Sequence, residues 1–134
     1  MVCIYCSGKT KITNSRAQKR SHATWRRHRC DSCQAVFTTQ ERVDLTASVA
    51  FIAKDGQVHP FMRETLLQSL YESLKHRPKA LAEALDLTDT VINLLLPKLE
   101  HGGLPRSLVI KASQQVLKRF DPAAATSYAA YHPN

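Results

Sequence analysis

The stretch Cys3-Ile-Tyr-Cys6 is followed after 23 residues by Cys30-Asp-Ser-Cys33, and these two pairs determine how the first third of this chain folds. They contain all four cysteines of the 134 residues. Two Cys-x-x-Cys pairs can place four thiolates at the corners of a tetrahedron, the geometry that zinc accepts. Disulfides or inert buried thiols are the alternatives. Because the protein would fill all four ligand positions, the pattern predicts a structural zinc site and not a catalytic one.

Residues 1–45 carry too few apolar side chains to fold around a hydrophobic core alone. The chief ones are Val2, Ile4, Tyr5, Ile12, Trp25, Val36 and Phe37. Zinc binding would therefore have to supply folding free energy, as it does in zinc fingers. Short β segments are predicted at 11–14, 25–29 and 35–39, with a turn at each cysteine pair.

Basic residues are concentrated in this cysteine-containing segment. The formal net charge of the chain is +8, and residues 1–45 hold nine Lys or Arg against three Asp or Glu. A rigid basic module favours polyanions through counterion release. We therefore expect nucleic acid as the partner, although a solvated charged surface is the simpler alternative. The candidate contacts are Arg16, Lys19, Arg20, Arg26, Arg27 and Arg29.

Strand alternation divides these candidate contacts between two faces. A strand over 25–29 would place Arg26 and His28 on one side and Arg27 and Arg29 on the other. Some arginines could then contact phosphates while others reach guanine edges. Trp25 could stack on a base or cover the small core.

Residues 46–134 predict a β-hairpin followed by a bundle of about four helices, so the fold class of the whole chain is α+β. The stretch 47–52 suits a strand, Asp55-Gly56 is a hairpin-turn signal, and Val58 would lie on the return strand. Helical periodicity begins at Phe61.

Prolines and glycines divide the helical region. Pro78 ends the first helix and opens a short second one over 79–85. A third helix is predicted to start after Thr88 as its N-cap, and Pro97 should kink or split it. A C-cap at Gly102-Gly103 ends that helix, Pro105 begins the next, and Asp121-Pro122 caps the last one.

Composition and motifs argue against several other classes of protein. The longest apolar run, 91–96, is too short to span a bilayer, and the N-terminus lacks the apolar stretch of a signal peptide. We therefore expect a cytoplasmic protein without membrane partners. Paired cysteines inside cells bind metal more often than they form disulfides. No catalytic constellation and no phosphate-cradling P-loop stands out, so the sequence does not predict an enzyme.

The whole chain resembles the bacterial NrdR family, whose members repress ribonucleotide reductase genes. The first part of the resemblance lies in Cys3–Cys6, Thr10–Arg16, Arg26–Cys33 and Val36–Glu41. The second part lies in Ala53–Gly56, Pro60-Phe61, Arg77-Pro78 and Phe120-Asp121.

The resemblance implies two domains with separate tasks. Residues 1–45 would be a zinc ribbon that binds double-stranded promoter DNA. Residues 46–134 would be an ATP-cone-like domain that senses ATP against dATP and forms homo-oligomers. The resemblance also implies a bacterial cytoplasmic protein associated with the nucleoid.

The chain departs from the family pattern where basic residues would neutralise a triphosphate. Ala53 and Thr65 stand at positions where the family usually has a basic side chain. Two interpretations follow. In the first, the cone retains an adenine-nucleotide site. In the second, it is degenerate and mediates only subunit or protein contacts, which would make the chain a nucleic-acid-binding adaptor. Residues that could substitute in holding the nucleotide are Lys54, Arg63, His76 and Arg77.

Overall fold

The computed structural model describes residues 1–133, which divide into two compact units. The first unit is Met1–Val43, and the second begins at Asp44. The first contains strands, turns and a short 3-10 helix, while the second combines a small sheet with α-helices, so the chain is α+β as the sequence predicts.

The first unit is a three-stranded antiparallel sheet in the order β1-β2-β3. Its strands are β1 (Thr10–Gln18), β2 (Ala23–Cys30) and β3 (Val36–Arg42). They are longer than predicted, because cross-strand pairing continues to the end of the β1–β2 hairpin, where Gln18 lies opposite Ala23. One turn of 3-10 helix, Lys19–Ser21, connects these two strands.

The hydrophobic core of this unit is small. Among the described residues it consists of Cys3, Cys30 and Phe37. The ring of buried His28 stacks on Phe37 with centroids 5.1 Å apart, and its Nε2 lies 2.7 Å from the hydroxyl of Thr39. A core of this size cannot order some 40 residues by apolar burial alone, so the fold depends on what the cysteines bind.

The second unit contains a three-stranded sheet in the order β5-β4-β6. The strands β4 (Ala50–Ile52) and β5 (Val58–Pro60) form the predicted hairpin, with Gly56 in the left-handed region at φ +84°. The predicted strand 47–52 is shortened, because Asp44 caps a helical turn, α1 (Leu45–Ser48), by accepting from the amide of Ala47.

The third strand of this sheet was not predicted. It is β6 (Gly103–Pro105), which pairs in parallel with β4 through opposed positions such as Phe51 and Leu104. The stretch 102–105, which includes this strand, carries the two glycines and the proline that signal a helix end and a new helix start. Tertiary pairing with β4 gives this three-residue connection its extended form.

Four helices complete the second unit: α2 (Arg63–Leu74), α3 (Ala80–Leu95), α4 (Arg106–Phe120) and α5 (Pro122–Tyr131). The prediction of one helix over 79–85 and a separate one after Thr88 is wrong, because α3 runs continuously over Ala80–Leu95. Thr88 is fully buried inside it, and its hydroxyl donates to the carbonyl of Ala84 at 2.6 Å instead of capping a helix start. Pro97 does end the helix, in a 3-10 turn at Leu96–Lys98.

The helices enclose an apolar core that includes Leu70, Leu74, Leu117 and Tyr128, each almost completely buried. Truncating one such leucine to alanine typically costs about 2–5 kcal/mol. The second unit therefore has the apolar burial that the first one lacks. None of the helices within residues 1–133 combines the length and the apolarity that crossing a bilayer requires.

Candidate metal centre and nucleic-acid interface

The four cysteine sulfurs converge on one point. All four Sγ atoms lie within 4.8 Å of one another, with Cys3 and Cys33 3.7 Å apart and Cys6 and Cys30 3.5 Å apart. A tetrahedral zinc ion with Zn–S bonds of about 2.3 Å requires S···S edges of about 3.8 Å. Disulfide sulfurs would lie about 2.05 Å apart. The geometry therefore fits one four-thiolate zinc site and excludes paired disulfides, as the spacing predicts.

Two turns of similar backbone geometry position the four cysteine sulfurs. The amide of Cys3 donates to the carbonyl of Gly8, and the amide of Cys30 donates to the carbonyl of Ala35, both at 2.9 Å. Each turn is closed by a residue in the left-handed region, Ser7 at φ 59° and Gln34 at φ 62°. The two cysteine pairs are thus presented by the same local backbone geometry from opposite ends of the unit's sequence.

Electrostatics at the sulfurs favour a bound cation. The amide of Cys33 donates to the Cys30 sulfur at 3.4 Å and lowers the pKa of that thiol to about 6. At Cys6 the backbone amide of Gly8 lowers the pKa, but hydrogen bonding to the sulfurs of Cys30 and Cys33 raises it more, to about 12. The Cys6 and Cys30 thiols therefore do not ionise together unless a metal ion neutralises them.

Gly8 brings the backbone close to the metal centre. A Cβ at this position would lie 3.1 Å from the Cys6 sulfur and 2.8 Å from the hydroxyl oxygen of Ser32. Real Cβ atoms rarely make contacts that short, so a side chain at position 8 would force the Ser32 hydroxyl and the Cys6 sulfur to shift.

The sheet carries a one-sided array of cations. Directly opposed residues of antiparallel strands project to the same face, and alternate residues of one strand do so too. Arg29 lies opposite Lys11 and Val36, while Trp25 lies opposite Arg16 and Gln40. We call this side the basic face, and its cationic members are Lys11, Arg16, Arg27, Arg29 and Arg42.

Every position of the basic face along the three described strands is neutral or cationic. Arg27 and Arg29 are exposed, and the guanidinium of Arg27 lies 5.6 Å from the centre of the Trp25 ring. Lys11 forms an exposed ion pair with Asp31 at 3.0 Å. Such exposed pairs are worth little, so Lys11 can exchange this partner for a polyanion.

Arg26 lies on the opposite face. It is half-buried and pairs with Glu41 at 2.7 Å, beside buried His28. The structure therefore brings Arg16, Arg27 and Arg29 together and separates Arg26 from them, because alternation along β2 reverses the side at each residue. Lys19 and Arg20 lie in the 3-10 turn at the end of the hairpin.

Two members of the basic face, Lys11 and Arg42, were not among the contacts predicted from the sequence. The register of β1 shifts between Ile12 and Asn14, which decides the side on which Lys11 projects. Neither that bulge nor the position of Arg42 opposite Ala23 has a recognisable sequence signal.

The predicted nucleotide-binding residues are mostly engaged with carboxylates. Arg77 forms two hydrogen bonds with Glu83, at 2.6 and 3.1 Å, and a third with Asp121 at 3.1 Å. His76 Nε2 also contacts Asp121, at 2.8 Å, and together with the surrounding donors it lowers the pKa of that carboxyl to about 2. This network joins the end of α2 to the start of α3 and of α5.

The other two predicted residues lie elsewhere. Arg63 pairs with Asp89 at 2.7 Å, linking α2 to α3. Lys54 lies in the turn between β4 and β5. The structure therefore brings His76 and Arg77 together but gathers no four-cation site.

A cavity of about 410 Å³ opens within the second unit. Within residues 1–133, its lining includes none of the four predicted nucleotide-binding residues. The described lining does include Thr65, and among the described lining residues only Arg106 carries a permanent charge. A triphosphate carries several negative charges that proteins neutralise with metal ions and multiple cations. The described lining does not fit that charge. His59, Arg106 and His132, which also line the cavity, are too far apart in sequence to have been recognised as a group.

Comparison with known proteins agrees with the geometry of the metal centre. The sequence model of the family described as "Transcriptional repressor NrdR-like, N-terminal domain" matches residues 1–41. A protein of Hyphomonas neptunium named transcriptional repressor NrdR is 36% identical over 136 residues, covering 98% of this chain and 82% of the relative. Proteins of the same name from Rhodospirillum centenum and Herpetosiphon aurantiacus are 33% and 29% identical, covering 98% of this chain and 85% and 87% of their own lengths. The chain belongs to the NrdR family.

Proposed function

We propose that this chain is a transcriptional repressor whose zinc-bound sheet binds promoter DNA through the basic face. The observation that carries the proposal is the one-sidedness of the charge: five cationic side chains project from one face, and Arg26 pairs with Glu41 on the other. A charged surface that serves only for solvation would not require its cations to lie on one face of the sheet. A binding role, not an enzymatic one, accounts for these features, because all four ligands of the metal centre come from the protein.

The dimensions of the basic face suit a DNA groove. Neighbouring strands lie about 4.8 Å apart, so the three strands span about 10 Å between the outer backbones, comparable with the major groove of about 12 Å. Arg27 and Arg29 are about 6.8 Å apart along β2, which equals roughly two base-pair steps. Arginines at this spacing can contact phosphates or fork onto guanine edges, while Lys11 serves as a point charge.

The zinc ion, when bound, supplies structural cross-linking. It joins the turn before β1 to the turn after β2 and thereby fixes the register that places Lys11, Arg27 and Arg29 on one face. The residues that act on DNA are the chain's own cations. A repressor of this kind would act at the chromosome by occupying a promoter.

We also propose that the second unit assembles copies of the chain. Leu81 and Leu85 lie one helical turn apart on α3 and are 58% and 39% exposed. Apolar side chains at i and i+4 form one stripe, which is suited to contact with another copy. Assembly would align several zinc-bound sheets on repeated sites and raise affinity without new contacts.

The test is a fluorescence anisotropy titration of promoter duplexes over a range of salt concentrations. Replacing Arg27 by alanine should weaken binding and reduce the salt slope by about 0.9. The matched control is Arg26→Ala, which removes the neighbouring arginine from the other face and should leave the slope unchanged. Equal effects of the two substitutions, or equal affinity for single-stranded RNA, would contradict the proposal.

A further inference from the structure

Positive charge in the second unit is concentrated toward its C-terminal end. Residues 46–104 hold six Lys or Arg against seven Asp or Glu, whereas residues 105–134 hold four Lys or Arg against one acid, Asp121. That acid is 9% exposed and is engaged by His76 and Arg77. The four cations all lie on α4, so no exposed carboxylate accompanies them in this part of the sequence.

Helix α4 carries its exposed polar residues in one stripe. At 100° per residue, Ser107, Lys111, Gln115 and Lys118 fall within a sector of about 80°, and Arg119 lies about 40° beyond it. All five side chains are exposed, while the opposite side of the helix packs in the apolar core. We call these five residues the α4 stripe.

The cations of the α4 stripe are not neutralised by neighbouring carboxylates. Within residues 1–133, Lys111, Lys118 and Arg119 form no ion pair. A favourable interaction with the helix dipole accounts for Lys118 and Arg119, which lie in the last turn. It does not account for Lys111, which lies in the second turn of the helix. The stripe therefore presents positive charge that the described part of the unit does not use.

The composition of the α4 stripe suits a polyanion better than a protein partner. The centre of a protein–protein interface is depleted of charged residues and enriched in aromatic ones, whereas protein–DNA interfaces are polar and positively charged. No member of the stripe is apolar. Phe120, the exposed aromatic residue of α4, lies about 100° further round the helix than Arg119, and the guanidinium of Arg77 stands 4.7 Å from the centre of its ring.

The spacing of the stripe also suits a nucleic-acid backbone. Lys111 and Lys118 are two helical turns apart, about 10.5 Å along the helix axis. Phosphates of one DNA strand follow each other at about 3.4 Å along the duplex axis, so the two lysines span about three steps. The ammonium groups, the Gln115 amide and the Ser107 hydroxyl can all donate to phosphate oxygens. Contacts of this kind position a protein on DNA but carry no sequence information.

We propose that the α4 stripe is a second DNA-binding surface, which contacts the phosphates of duplex DNA and reads no base sequence. The inference rests on the proposed function, because the promoter that the basic face binds supplies the duplex. It adds a direct contribution of the second unit to DNA affinity, besides the assembly of copies.

Fluorescence anisotropy titrations of the zinc-loaded full chain, over a range of salt concentrations, test the proposal on promoter duplex and on a duplex of shuffled sequence. The double variant Lys111→Gln/Lys118→Gln should lower the salt slope by about 1.8, which is about 0.9 for each lost phosphate contact. It should weaken binding to both duplexes by the same factor, on the order of tenfold, because phosphate contacts do not discriminate sequence.

The matched control is Lys79→Gln/Lys98→Gln, which removes the same charge from exposed positions of the second unit outside the α4 stripe. Its salt slope should equal that of the parent chain. Equal slopes for the two double variants, or a loss confined to the promoter duplex, would overturn the proposal.

A gain of charge tests the same surface in the opposite direction. Gln115→Lys places a cation one turn after Lys111 and should raise the salt slope by about 0.9. Gln68→Lys adds the same charge at an exposed position of α2 and should leave the slope unchanged. An equal rise in both variants would attribute the effect to net charge and refute the role of the stripe.

Sedimentation of the DNA-free chain distinguishes DNA from an acidic surface of another copy as the occupant. The oligomeric state of Lys111→Gln/Lys118→Gln should match that of the parent, and a change would assign the stripe to contacts between copies and overturn the proposal. Failure of this inference differs from failure of the proposed function: in the first case Arg27→Ala weakens DNA binding while the stripe variants do not, and in the second the parent chain does not bind promoter duplex.

Discussion

Replacing Cys30 by serine should release zinc and unfold the first unit. The Cys30 side chain is fully buried, and its sulfur lies 3.5 Å from that of Cys6. Structural zinc sites contribute about 10–16 kcal/mol at neutral pH, so an equal share for each of four thiolates is about 2.5–4 kcal/mol. A serine hydroxyl is a poor substitute, and the affinity for zinc should fall by about 70-fold to 1,000-fold.

The assay is competition for zinc with a chromophoric chelator, read together with the fluorescence of Trp25. Trp25 is the sole tryptophan of the chain and lies in β2, so its emission reports on the first unit. The matched control is Ser32→Ala, an exposed change between two of the ligands. Zinc affinity within about threefold of the parent, with unchanged Trp25 emission, would refute the four-thiolate site.

Three further substitutions test other parts of the structure. Gly8→Ala should lower the zinc affinity on the order of tenfold in the same chelator assay, because its Cβ would lie 3.1 Å from the Cys6 sulfur. An unchanged zinc affinity would contradict the argument that a side chain at position 8 crowds the metal centre. Asp121 has its pKa depressed to about 2, from the ordinary 3.8, by His76 and neighbouring donors. The stability it contributes is therefore complete above about pH 4 and lost as the pH falls toward about 2. Thermal melts followed by circular dichroism should show a loss of Tm over that interval, and Asp121→Asn, which keeps the N-cap, should flatten it; identical pH profiles would exclude the network. Leu70→Ala should lower the free energy of unfolding by about 2–5 kcal/mol in urea titrations, whereas Gln68→Ala, an exposed change on the same helix, should alter it by less than about 1 kcal/mol.

Local signals account for the features that the sequence predicts correctly. The cysteine spacing predicts a tetrahedral arrangement of four sulfurs, because each pair of sulfurs is positioned by one short Cys-x-x-Cys turn. The Asp55-Gly56 turn and the Asp121 cap are likewise determined within a few residues, by positive φ at Gly56 and by two amide donors to Asp121. The geometry of such features is determined by neighbouring residues and can therefore be predicted from a short stretch of sequence.

Features that depend on distant partners were not predicted. Thr88 resembles a helix N-cap, but burial in α3 and a bond to the Ala84 carbonyl make it an interior residue. The strand β6 exists because β4 offers it a parallel edge. In both places tertiary packing overrides a local preference.

The same limit applies to the candidate sites. The separation of Arg26 from Arg27 follows from strand alternation and can be predicted from the sequence. The presence of Lys11 on the basic face depends on a bulge in β1, and no residue type in β1 predicts that bulge. The sequence suggests that His76 and Arg77 are available to bind a nucleotide. In the structure each contacts Asp121, some 44 residues away in the chain. Ion pairs between separate helices cannot be inferred from one sequence.

We propose that zinc organises the sheet whose basic face binds DNA. The most direct measurement is the affinity of the full chain for promoter duplex before zinc removal, after chelation under reducing conditions, and after one equivalent of zinc is returned. We predict a loss of at least about 100-fold on removal and full recovery on return, since the metal holds the register of the face. Unchanged affinity of the zinc-free chain would contradict the claim.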